Sequence, residues 1–181
     1  MTSDEHEDLD HSFHLITWIK ELGVKSYDEG NMESAISIWG DALTRLFRMR
    51  DSKAWTKLMK MYGEALIDRF ATLQCSLGLN FTQAEIIRWR EASWSAPTEA
   101  GLDVVWMCRQ QGYWKDGYIW NFSNVLAAKY CYWTALCIRL WGQTSEAVVA
   151  LESISQARMI APYDPAIPKE QRNITRWAGM V

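Results

Sequence analysis

Apolar residues recur along this chain at the spacing of helix faces. From about Ser12 to Asp28, Leu15, Ile16, Ile19, Leu22, Gly23 and Tyr27 follow the i, i+3, i+4, i+7 pattern that lines one side of a helix. Glu29, Gly30 and Asn31 read as a turn, with Gly30 able to take the positive φ that commonly ends a helix. A second helix, from about Met32 to Arg48, carries the cleanest stripe: Met32, Ala35, Ile36, Trp39, Ala42, Leu43, Leu46 and Phe47. Asp51 or Ser52 can cap a third. Its inward residues run from Trp55 through Leu58, Met59, Tyr62, Leu66, Phe70 and Leu73, and Gly78 is its expected end.

The pattern then predicts a fourth helix from about Thr82 to Ala92 and a break at Ser95, Ala96 and Pro97. Thr98 and Glu99 suit the start of a fifth helix, ending near Gln110. Residues 111 to 117 read as loop. A sixth helix covers about Asn121 to Trp141, Gly142 and Gln143 form a turn, and a seventh runs from about Thr144 to Ile160. No stretch of useful length alternates with the period of a strand. The expected architecture is therefore all-α, about seven helices in antiparallel pairs, as a helical array or an irregular bundle. Residues 1–11 read as a disordered acidic tail and 12–161 as a single helical domain. Residues 162–181 read as a tail that Pro162, Pro165 and Pro168 keep out of regular helix.

Short antiparallel helix pairs invite a search for repeats. Residues 16 to 49 hold Leu22-Gly23 in the first helix, Gly30 at the turn, and Ala35, Trp39 and Ala42 in the second. That pattern resembles one tetratricopeptide repeat, in which small residues let the helices approach closely. Ile19 stands where the family usually has tryptophan, the first helix's aromatic is displaced to Tyr27, and no proline ends the second helix. A weaker match covers 128 to 161, with Cys131, Ala135, Gly142, Ala147 and Leu151 at the corresponding places. The resemblance implies a groove lined by first helices that takes a peptide or a partner helix. Thr17, Lys20, Val24 and Tyr27 would line it from the first pair, and Tyr132, Leu136 and Arg139 from the last. One family subtype grips chaperone tails with a Lys and an Asn one turn apart. Here Val24 follows Lys20, which argues against that specialisation.

Composition sharpens the picture. The 181 residues are 49% hydrophobic, which excludes wholesale disorder, and the net charge of −3 offers no global basic excess for nucleic acid. Eleven tryptophans stand mostly on apolar faces, where core filling is the expected role and an aromatic cavity the alternative. Val125 to Trp141, the most apolar stretch, is interrupted by Lys129 and Arg139, so a buried helix is expected rather than a membrane span. The start of the chain is acidic where a secretory leader would be basic and then apolar. Cys75, Cys108, Cys131 and Cys137 have no CxxC pairing. Together these point to the cytoplasm, with the nucleus left open, and to free thiols.

The histidines, His6, His11 and His14, sit in or beside the acidic tail, where a solvated segment is the plainer reading than a metal site. None remains in the body of the chain for a Ser/His or Cys/His pair, and no phosphate-cradling glycine loop occurs. No metal or other cofactor is expected. One charge feature stands out: Arg45, Arg48, Arg50, Lys53, Lys57 and Lys60 lie close together, opposed only by Asp51, with Trp55 among them. Such a patch suits phosphates, acidic peptides or single-stranded RNA, by charge plus stacking. The leading expectation is a non-enzymatic adaptor for a protein or peptide, with a homo-oligomeric form left open. RNA association through the patch is the alternative, and a small helical enzyme with a Trp-lined cavity ranks third.

Overall fold

The computed structural model describes residues 3–92 and 100–180, with side chains from 11 to 91 and from 100 to 180. Over these residues the protein is all-α. Its helices are α1 (Ser3–Asp28), α2 (Met32–Arg50), α3 (Lys53–Tyr62), α4 (Glu64–Ala92), α5 (Ala100–Cys108), α6 (Asn124–Trp141), α7 (Ala147–Ile160) and α8 (Ala166–Trp177), with a 3-10 turn at Thr144–Glu146 before α7. The break expected at Ser95 to Pro97 and the helix start at Thr98 and Glu99 lie outside the described residues. None of these helices is long and apolar enough to cross a membrane. The chain divides into two compact units, Met1–Trp120 and Asn121–Val181, where the sequence suggests one domain over 12–161.

In the first unit, α1 and α2 form an antiparallel hairpin. Gly30, at φ +80°, turns the chain between them, and the Asn31 side chain caps α2 by accepting from the Ser34 N–H. The hairpin is keyed by Trp39, which is 2% exposed and donates its indole N–H to the Lys20 carbonyl at 3.0 Å. The ring lies where a side chain on Gly23 would be: a Cβ there would stand 2.2 Å from Trp39 Nε1. Glycine at 23 is thus required by the bulk of Trp39. Helix α1 starts at Ser3, so helix reaches into the acidic stretch read as a tail; carboxylates near a helix N-terminus complement its dipole.

Two sequence expectations about glycine change here. Gly63, at φ +63°, and not Gly78, separates α3 from the next helix, so α4 runs unbroken through the place where a third helix was expected to end and a fourth to begin. Gly78 instead faces Gly101 of α5. A Cβ on Gly78 would lie 2.6 Å from the Gly101 carbonyl oxygen, and one on Gly101 would lie 2.2 Å from Thr82 Oγ1. The two glycines let antiparallel α4 and α5 touch backbone to backbone. Thr82 donates back to the Gly78 carbonyl at 2.9 Å, satisfying its buried hydroxyl.

An aromatic cluster fills the other end of this unit. Phe70 meets Phe13 edge-on at 5.1 Å and Trp55 edge-on at 5.4 Å, and Trp55 leans on Trp114 at 5.8 Å. The Phe13–Phe70 contact, with a hydrogen bond from Gln83 to the Tyr27 hydroxyl, sets α4 parallel to α1.

In the second unit, α6 and α7 form another hairpin around a seam of small residues: Ala135, Ala150 and Ala157 are fully buried beside Ile154. Gly142 caps α6 where a Cβ would stand 2.4 Å from the Ile138 carbonyl oxygen. Helix α8 closes the unit with Ile167 and Ile174 inward. It corrects the expectation that prolines keep 162–181 out of helix. Pro165 is the N-cap of α8 and Pro168 falls in its first turn, where a backbone N–H has no partner within the helix and its loss costs little. The Asp164 carboxylate accepts from the Ala166 N–H in the same turn.

Candidate functional site

The four residues expected to line a groove from α1 fall on one stripe with Phe13: positions 13, 17, 20, 24 and 27 recur every three or four residues. Both ends of the stripe touch α4, Phe13 through Phe70 and Tyr27 through Gln83. Thr17, Lys20 and Val24 lie between these contacts, each half-buried. A furrow lined by this stripe would have the parallel α4 as its other wall. Thr17 donates to the Phe13 carbonyl, four residues back, and Lys20 pairs with the neighbouring Glu21 at 2.7 Å. Tyr27 has a structural share as well: its ring lies 6.0 Å from Trp39.

The residues expected to face a groove from the last pair belong to the second unit. Leu136 is 2% exposed. Tyr132 packs against the alanine-rich seam. Arg139 forms a two-pronged ion pair with Glu170, whose carboxylate is buried and also accepts from Asn173. Tyr132 and Arg139 thus help hold α6, α7 and α8 together. An arginine in an apolar stretch can as well be answering a buried carboxylate from a distant helix, and spacing alone does not distinguish the two.

Of the basic residues, Arg45, Arg48, Lys53, Lys57 and Lys60 are exposed. Arg50 is engaged: its guanidinium lies 4.0 Å over the Tyr113 ring and pairs with Asp51 at 2.8 Å. Lys53, Lys57 and Lys60 share the outer face of α3, opposite buried Trp55, Leu58 and Met59. Trp55 is 5% exposed, and its N–H is directed to the Trp114 carbonyl at 3.4 Å. So little exposed a ring is no open stacking platform for a strand running over the outer-face cations of α3.

A cleft of about 650 Å³ beside α3 has no counterpart among the sequence expectations. Trp55, Thr56, Met59, Lys60 and Gly63 line one side, and Gly112, Trp114, Lys115 and Asp116 the other. The second wall is the segment after α5, read from sequence only as loop. It is anchored firmly. Trp114 is buried and donates to the Cys108 carbonyl at 3.0 Å, the Tyr113 hydroxyl exchanges hydrogen bonds with buried Gln74, and Tyr118 donates to Asp68 at 2.7 Å. Burial, then the adjoining Asp68 and Glu64 carboxylates, push the Tyr118 phenol up to about 12. Burial likewise raises Tyr113. The density of aromatics between 113 and 120 was the available signal, since buried rings let an irregular segment hold one shape.

Two buried thiols, Cys75 of α4 and Cys108 at the end of α5, lie beneath this segment. Burial pushes Cys75 up to about 12 and raises Cys108 further. No group of His, Cys, Asp or Glu among the described residues is arranged to hold a metal ion. No protein-family model, curated protein or solved structure matches the chain.

Proposed function

We propose that this chain is a non-enzymatic adaptor whose first unit binds a peptide or a helix of a protein partner in the furrow between α1 and α4. The observation that carries this reading is the stripe of Thr17, Lys20 and Val24, half-buried between two anchored ends and facing a parallel helix. Helix-in-groove recognition needs such a wall: apolar and polar positions at i, i+3 and i+4 on a rigid element. The tetratricopeptide-like reading draws on the same features, the α1–α2 hairpin and an α4 parallel to α1. Recognition is confined to the first unit, because in the second Tyr132 and Arg139 are engaged by that unit's own packing and Leu136 is buried.

A second reading, RNA association, draws on the exposed row Lys53, Lys57 and Lys60 with Arg45 and Arg48 nearby. One set of variants separates the two. Changing Arg48, Lys53 and Lys57 together to Glu leaves the furrow intact and should leave partner capture unchanged. Lys20→Glu and Val24→Arg should abolish capture while the melting temperature holds. Tyr27→Ala is a poorer probe, since it also removes the contacts to Gln83 and Trp39. Retention on RNA that falls steeply with salt and vanishes in the triple variant, with no protein captured, would decide for the second reading.

A further inference from the structure

We propose that the cleft between α3 and the Gly112–Asp116 segment is a binding site for an organic phosphate monoester of mononucleotide size. At about 650 Å³ it lies within the range of small-ligand sites and is far larger than a simple inorganic anion needs. Its walls differ in chemistry from its rim. Trp55 and Trp114 both turn their N–H groups inward, to the Trp114 and Cys108 carbonyls, so the small part of each ring that meets the cleft is carbon. Met59 adds to that apolar floor. The floor suits a flat, weakly polar body.

The rim is charged. Lys60 reaches the cleft from α3 and Lys115 from the facing segment, and both are exposed. Two ammonium groups from opposite walls match a phosphate monoester, which carries close to two negative charges at neutral pH and has three strong acceptor oxygens. Asp116 stands beside Lys115 on the same rim. Its carboxylate repels a long polyanion but can accept from hydroxyl groups on the ligand's body. Gly63 and Gly112 both have positive φ, and a Cβ at either would meet nothing within 4 Å, so the approach stays open.

A free mononucleotide and the 5′-phosphate end of a strand offer the same chemistry. The test titrates the full chain at low salt with adenosine monophosphate, adenosine, inorganic phosphate, and a short oligoadenylate with and without a 5′-phosphate. Binding is read by calorimetry and by the indole N–H resonances of Trp55 and Trp114. Adenosine monophosphate should bind saturably, at least about tenfold tighter than adenosine or phosphate alone, because only it engages floor and rim together. Lys60→Gln and Lys115→Gln should each weaken it several-fold, and Thr56→Trp, at an exposed position, should block it by volume. Preference between the mononucleotide and the phosphorylated strand identifies the source. No saturable binding, or equal binding by both lysine variants and wild type, overturns the proposal. So does strand binding that ignores the terminal phosphate, which would mean that the lysines track a backbone instead.

Discussion

Trp39 shows how one side chain fixes its neighbours' identities. Its indole is buried, donates to a carbonyl of α1 and occupies the space above Gly23. Trp39→Ala should cost about 3–5 kcal/mol, the range for a large aromatic that leaves a cavity. Gly23→Ala tests the same contact from the other side. Alanine gains up to about 1 kcal/mol of helix propensity over glycine. Its methyl group, however, must displace a ring held by a hydrogen bond, and overpacking of that kind costs about 1–3 kcal/mol. Net destabilisation is therefore expected in urea unfolding, and a more stable Gly23→Ala variant would show that the ring does not sit there.

The thiols give a second prediction at this scale. Of the four cysteines, only Cys131 is partly exposed. An Ellman titration of the native protein at pH 8 should show one reactive thiol, and denaturant should release the others. Because Cys75 is raised from 9.0 to about 12, its neutral form is favoured by folding. That contribution to stability is complete below pH 9 and is lost as pH climbs toward about 12. Native Cys75 that reacts readily at pH 8 would contradict its burial.

Among the elements, the periodic ones were legible and the exceptions stem from context. The α1–α2 stripe predicted its helices and the burial of Trp39, because local period and tertiary packing agree there. Gly78 misled because a helix tolerates glycine when another backbone must come close, and Gly101 lies too far along the chain for periodicity to pair them. Pro165 and Pro168 misled because a proline disrupts a helix only beyond its first turn. That Thr17, Lys20, Val24 and Tyr27 share one face of α1 follows from their spacing. The pairing of Arg139 does not, since its partner Glu170 is thirty-one residues away. Arg139→Met should strand that buried carboxylate and loosen α8, at a cost of about 3–5 kcal/mol if the pair were fully buried and less given that Arg139 is 18% exposed. Faster amide exchange confined to α8 and the facing turn of α6 is the expected signature. Unchanged exchange would mean that Ile167 and Ile174 hold α8 alone.

For the whole molecule, the proposed reading gives recognition to the first unit, while Tyr132 and Arg139 of the second are engaged in that unit's own packing. The cleft was illegible in sequence because its walls, α3 and residues 112 to 116, meet only through the burial of Trp55 and Trp114. Binding of a protein partner in the furrow is tested most directly by photo-crosslinking from a benzoylphenylalanine placed at Val24 in the full chain, with the captured species identified by mass spectrometry. One discrete protein partner, crosslinked through a short peptide segment, is expected. That signal should vanish with Lys20→Glu at unchanged melting temperature and persist when Arg48, Lys53 and Lys57 are changed to Glu. Crosslinking that is indifferent to Lys20→Glu, or that is lost in the triple variant alone, would contradict furrow binding.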